Sequence, residues 1–163
     1  TDAPRLLMSL SDTLTRDLAA AMKARDQNRL VALRMLKTAL TNRSIERGRA
    51  LDEAEELQVV AGLVKQRRDA IEQFARAGRQ DLVDKETAEI SVLETFLPPA
   101  ASAADLAAAV DAAVASTGAS GPKDMGRVMK AVMAALAGKS VDGRAVNEAV
   151  RARLSGQGSG QTA

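Results

Sequence analysis

No stretch of this chain alternates β-branched or aromatic residues with polar ones, the pattern a half-buried strand requires. Apolar residues recur instead at intervals of three and four. Leu30, Leu33, Leu36 and Leu40 form one such series, and Leu57, Val60, Val64, Ile71 and Phe74 follow a second. That spacing is the signature of an amphipathic helix, because it keeps the apolar side chains on one face. Ala, Leu, Met, Lys, Arg, Glu and Gln dominate, all residues that lose little side-chain freedom in a helix. Phe74 and Phe96 are the only aromatic residues. The chain is predicted to be all-α.

Capping residues divide the pattern into elements. Ser11 is read as the N-cap of a helix through Leu14, Leu18 and Met22. Asp26 caps a second helix, which Gly48 stops. Asp52 caps the third and longest helix, over about residues 52–77, with Glu53, Glu55 and Glu56 near its positive end. Asp81 starts a fourth, and Pro98-Pro99 ends it, since proline cannot continue the hydrogen-bond ladder. Ser102 caps a fifth through Leu106, Val110 and Val114. After a loop at Gly118–Gly121, a sixth runs from about Lys123 to Ala137, and the last from about Asp142 to Leu154. The expected organisation is an N-terminal helical bundle subdomain over 10–98 and a C-terminal three-helix subdomain over 99–154. A flexible extension, 1–9, and a disordered tail, 155–163, flank them. Met8 is a candidate natural start. Phe74, with Leu63 or Val64, is expected to be buried in the first subdomain.

There is no Cys and no His. Disulfides, the usual zinc sites and imidazole general bases are therefore excluded, and with them Ser-His and Cys-His nucleophiles. Only carboxylate, Lys or Ser-Lys chemistry remains. Asp81, Asp84, Glu86, Glu89 and Glu94 form an acidic set, but helix-start electrostatics accounts for its first members and nothing fixes the group in a cleft. No catalytic residue, metal site or cofactor is read. No apolar run is long enough to span a bilayer and Leu6, Leu7 and Met8 are too few for a signal-peptide core, so a cytoplasmic protein with no membrane partner is expected.

Two basic groups are candidates for binding phosphate. The first is spread over the second and third helices: Arg29, Arg34 and Lys37, then Lys65 and Arg68. Side by side these helices would offer a phosphate-binding face. The plainer reading is a solvated surface with intrahelical pairs such as Arg68–Glu72 and Lys65–Asp69. Arg67 stands apart, because its spacing places it on the apolar stripe, where a guanidinium must snorkel or meet a carboxylate. The second group lies in the C-terminal third. Lys123, Arg127 and Lys130 share a helix face by spacing, Gly126 sits within the first turns, and Lys139 and Arg144 flank the following turn. A glycine there costs about 1 kcal/mol relative to Ala, which a helix accepts when another backbone must come close. The helix start would add amide donors for phosphate. The plainer reading is a packing glycine among solubilising charges.

The strings LRMLKTAL, KQRRDAIEQFARAGRQDL and ETFLPP resemble the YqeY family over nearly the whole chain, from about Leu10 to Leu154. The segment from Gly126 to Leu154 also resembles the C-terminal tail domain of GatB, the tRNA-recognising subunit of glutamine-dependent tRNA amidotransferases. The shared pattern is Gly126, Met133, Gly138-Lys139, Val146-Asn147 and Leu154. Asp142-Gly143 stands where GatB usually has a tighter Asn-Pro turn. The resemblance implies a GatB/YqeY tail-type C-terminal subdomain and contact with tRNA or other structured RNA by Lys123, Gly126, Arg127, Lys130, Lys139 and Arg144. It does not imply catalysis, since the chemistry of GatB belongs to a larger domain that has no counterpart here. A label such as carbon–nitrogen ligase with glutamine as amide donor would be inherited. The expected function is a non-catalytic RNA-binding module. The alternatives are an adaptor docking on a protein partner in translation or an amidotransferase complex, and an accessory to amide transfer.

Overall fold

The computed structural model describes residues 8–157, which form seven α-helices and no strand. The expected extension at 1–9 and tail at 155–163 lie mostly outside those residues. The chain divides into two compact units, with the boundary between Leu97 and Pro98.

The first unit holds α1 (Leu10–Ala24), α2 (Gln27–Arg47), α3 (Glu53–Arg76) and α4 (Gln80–Glu94). Asp26 and Asp52 cap α2 and α3, accepting from the Arg29 and Glu55 amides at 3.0 and 2.8 Å. Glu55 completes a capping box at α3. Gly48 and Gly78 follow α2 and α3 with φ of +66° and +69°, the left-handed conformation that suits glycine. Two starts differ from the expected ones. Ser9, not Ser11, caps α1 by accepting from the Asp12 amide at 3.1 Å. Asp81 lies inside the first turn of α4, paired at 2.9 Å with Arg79, which occupies the cap position without a side-chain cap bond. The end of α4 is set by turns at Thr95 and Leu97, before Pro98 is reached.

Leu14 and Ala21 of α1, Leu33 and Leu36 of α2, Val60 and Val64 of α3, and Ile90 and Leu93 of α4 meet in one core. The buried aromatic residue is Phe96. Phe74 is only half-buried, because it stands one turn from the exposed end of α3, so its expected burial is corrected.

Arg67 sits within this apolar face, 4% exposed. Its Nε donates to Glu89 on α4 at 2.9 Å, and Glu86 stands at 3.9 Å. Its other nitrogens donate to the Leu63 carbonyl oxygen at 3.3 Å and the Met35 sulfur at 3.2 Å. The guanidinium thus ties α3 to α4 and to α2, as its place on the apolar stripe requires.

The second unit holds α5 (Ala103–Thr117), α6 (Met125–Ala135) and α7 (Gly143–Gln157). Ser102 caps α5 in a box with Asp105. Pro122–Asp124 forms a 3₁₀ turn leading into α6, which ends at Ala135, two residues earlier than expected. The helix α7 runs past Leu154 to Gln157, so the expected start of the tail at residue 155 is corrected. Gly156 is helical and shows no left-handed φ to stop it. Val110 and Val114, Val128, Val132 and Leu136, and Val146, Val150 and Leu154 supply the core, one apolar stripe per helix. A single bridge joins Ala100 to Ser140, with backbone bonds of 2.9 and 3.1 Å.

Removing one member of a buried ion pair leaves the other charge stranded, which costs about 3–5 kcal/mol, whereas a well-packed apolar replacement of both is often neutral. Glu89→Ala is expected to lose an amount at the lower end of that range, since Glu86 remains near Arg67. Arg67→Met with Glu89→Leu is expected to recover most of it. Urea denaturation of the three proteins reads both effects, and a Glu89→Ala protein as stable as wild type would contradict the pair.

Candidate nucleic-acid interface

Pro122 opens the 3₁₀ turn with its fixed φ and brings Asp124 to the start of α6. The Asp124 carboxylate is buried. It accepts from the Ser120 amide at 2.9 Å and from the Arg127 guanidinium, which also donates to the Thr117 carbonyl oxygen at 3.3 Å. The Ser120 amide, and then Arg127, hold this carboxyl below its ordinary pKa. Asp124 therefore supplies the negative charge that a helix start favours. A carboxylate thus stands at the end where a phosphate was expected, and Arg127 is engaged within its own turn.

Gly126 is exposed, and a Cβ placed on it would meet nothing within 4 Å. Nothing among the described residues uses the missing side chain, so packing within them does not account for this glycine. Lys130 follows four residues later and Met133 seven, both on the exposed side of α6, with Met133 42% exposed. Lys123 is exposed in the turn before the helix. Among the described residues, the Lys123 and Lys130 side chains make no hydrogen bond or ion pair.

Lys139 is engaged elsewhere. Its Nζ donates to Asp105 at 2.7 Å, joining the turn after α6 to the cap of α5. The Lys139 hydrogen bond, followed by the Ser102 amide, lowers the Asp105 pKa to about 2. The Arg144 amide donates to Asp142 at 3.0 Å, which starts α7. The six residues expected here therefore separate by local chemistry. Lys123, Gly126 and Lys130 present an open strip on and before α6, while Arg127 and Lys139 are held by carboxylates.

The cleft between α2 and α3 is lined by small, apolar and amide side chains together with Arg43 and Glu46, and by none of Arg34, Lys37, Lys65 or Arg68. Arg68 reaches Glu94 on α4 at 3.0 Å. Arg29 reaches the buried Asp17 of α1 at 3.6 Å. Arg34, Lys37 and Lys65 are exposed. Sequence spacing could find Asp124, three residues before Arg127. It could not find Asp105, 34 residues from Lys139.

Among the described residues, no three acidic side chains gather as a metal site, and no helix is long and apolar enough to cross a membrane.

Relatives share much of this chain. Proteins named altered inheritance of mitochondria protein 41, mitochondrial, are similar to it. The one from Eremothecium gossypii is 37% identical over 102 residues, covering 61% of this chain and 56% of the relative. That of Lachancea thermotolerans is 37% identical over 100 residues, covering 60% and 54%. That of Kluyveromyces lactis is 38% identical over 84 residues, covering 51% and 45%. The chain thus spans about half the length of the curated relatives it matches. The family model described as Yqey-like protein matches residues 11–154, from the first turn of α1 to the buried Leu154 of α7. By that match across both units, the chain belongs to the YqeY-like protein family.

Proposed function

We propose that this chain is a non-catalytic RNA-binding module that contacts tRNA or another structured RNA through its C-terminal unit. The observation that carries this reading is the strip formed by Lys123, the open backbone at Gly126, and Lys130. Two cations without partners among the described residues flank a stretch of helix that another molecule can approach closely. The resemblance of this segment to the GatB tail domain supports the same partner. The second unit contains no aromatic residue, so it lacks the platforms on which unpaired bases stack, and its contacts are directed to phosphate and sugar. The relatives' names state no activity, and the absence of imidazole and thiol leaves few routes to one. We place the protein in the cytoplasm, where such an RNA is present.

On this reading Lys123 and Lys130 carry the salt dependence, because each neutralised phosphate releases counterions. Lys123→Ala with Lys130→Ala is expected to flatten the slope of log affinity against log salt by about 1.5, at roughly 0.7 per contact on single-stranded or loop RNA. Titration of tRNA at several salt concentrations reads this. Equal slopes, or no binding at low salt, would make the unit a protein-docking module.

Lys139 is expected to report on structure instead. A carboxyl whose pKa is lowered by folding contributes stability above its unfolded value, and that contribution is lost as pH falls through about 4 toward about 2. Lys139→Met is expected to raise the Asp105 pKa toward the ordinary carboxylate range in a carboxyl NMR titration. An unchanged value would show that Lys139 is not its partner in solution.

A further inference from the structure

The helices α2 and α3 each pack against α4 but leave a cleft of about 290 Å³ along their own seam, lined by these two helices alone. We propose that this cleft is where a second copy of the chain docks, the two copies related by a two-fold axis.

Three observations lead there. The first is Gly62, at the middle of α3 on the wall of the cleft. A glycine inside a helix costs about 1 kcal/mol relative to Ala. A Cβ at Gly62 would meet nothing within 4 Å, so no contact among the described residues uses its absence. Ala39 faces it from α2, and two such small residues let another helix lie close, because the distance between helix axes is set by the side chains at the contact.

The second is an apolar run beside the cleft. Val31, Met35 and Ile45 of α2 are 41%, 45% and 72% exposed. Met35 lies seven residues before the cleft residue Asn42 and Ile45 three after it, so both share its side of the helix. The run from Val31 to Ile45 extends about 21 Å, enough for several turns of contact.

The third observation selects the occupant. A two-fold interface sets one surface against itself and must be self-complementary. The only charged residues lining the cleft are the half-buried Arg43 and the exposed Glu46, one turn apart and joined by a 3.3 Å pair. Turned about a two-fold axis, Arg43 of each copy can meet Glu46 of the other. The remaining polar groups, Asn42, Gln58 and Gln66, are amides, which both donate and accept and so also match themselves. A polyanion finds no surplus of cations here, and a strongly charged partner helix finds no opposite excess. This surface is separate from the α6 strip, and the inference does not depend on RNA binding.

Sedimentation equilibrium of the full chain from about 1 to about 200 μM is expected to show a concentration-dependent monomer–dimer equilibrium. Gly62→Glu, which favours helix while placing two like charges near the axis, is expected to give monomer throughout. Arg43→Glu is expected to weaken the dimer by at least about tenfold, and Arg43→Glu with Glu46→Arg to restore it by rebuilding the pair with reversed signs. Circular dichroism melts are to show that each variant folds, as expected because none of Arg43, Glu46 and Gly62 is buried. A chain that stays monomeric at all concentrations would overturn the proposal. So would a dimer indifferent to Gly62→Glu, or one the reversed pair fails to restore.

Discussion

The buried pair of Arg67 and Glu89 is the interaction on which the first unit depends. A guanidinium in an apolar core is tolerated only when its nitrogens find acceptors, and here a carboxylate, a carbonyl oxygen and a thioether supply them from α4, α3 and α2. Pairs of this kind add little net stability over an apolar replacement, because taking two charges out of water offsets much of their attraction. Their geometric requirement is strict. Glu89 must face Arg67 for the core to close, and that fixes how α4 lies along α3. With α4 packed against both α2 and α3, their outward seam remains open.

Much of this fold was legible locally. Asp26, Asp52 and Ser102 cap helices through bonds to amides three residues on, and each could be recognised from its own neighbourhood. Arg67 was conspicuous because a charge interrupted an apolar stripe, but its partner was one of five carboxylates and only packing selects Glu89. Ser9 and Ser11 are two residues apart, and propensity alone does not say which turn closes first. Phe74 follows the stripe of α3 yet lies where the core thins, while Phe96 reaches the interior from a turn that periodicity does not describe. Gly156 permits a helix stop without imposing one.

The candidate interface was legible as a group of residues but not as a set of states. Spacing collected Lys123, Arg127, Lys130 and Lys139 as equivalent cations. The structure distinguishes them by their partners: Arg127 closes a turn on Asp124, and Lys139 closes a loop on Asp105 across 34 residues. Cations already matched to carboxylates contribute less attraction to an incoming phosphate, so on the proposed reading the open positions govern binding. Gly126 shows the same division, since a missing side chain acquires meaning only from what stands in front of it.

RNA contact by the C-terminal unit is the central claim, and mapping of crosslinks tests it most directly. Ultraviolet crosslinking of the full chain to tRNA at low salt, followed by mass spectrometry of the joined peptides, locates contact without any substitution. The account predicts crosslinks concentrated on the 3₁₀ turn and α6, over residues 122–135. Crosslinks confined to α2 and α3, or none, would contradict it.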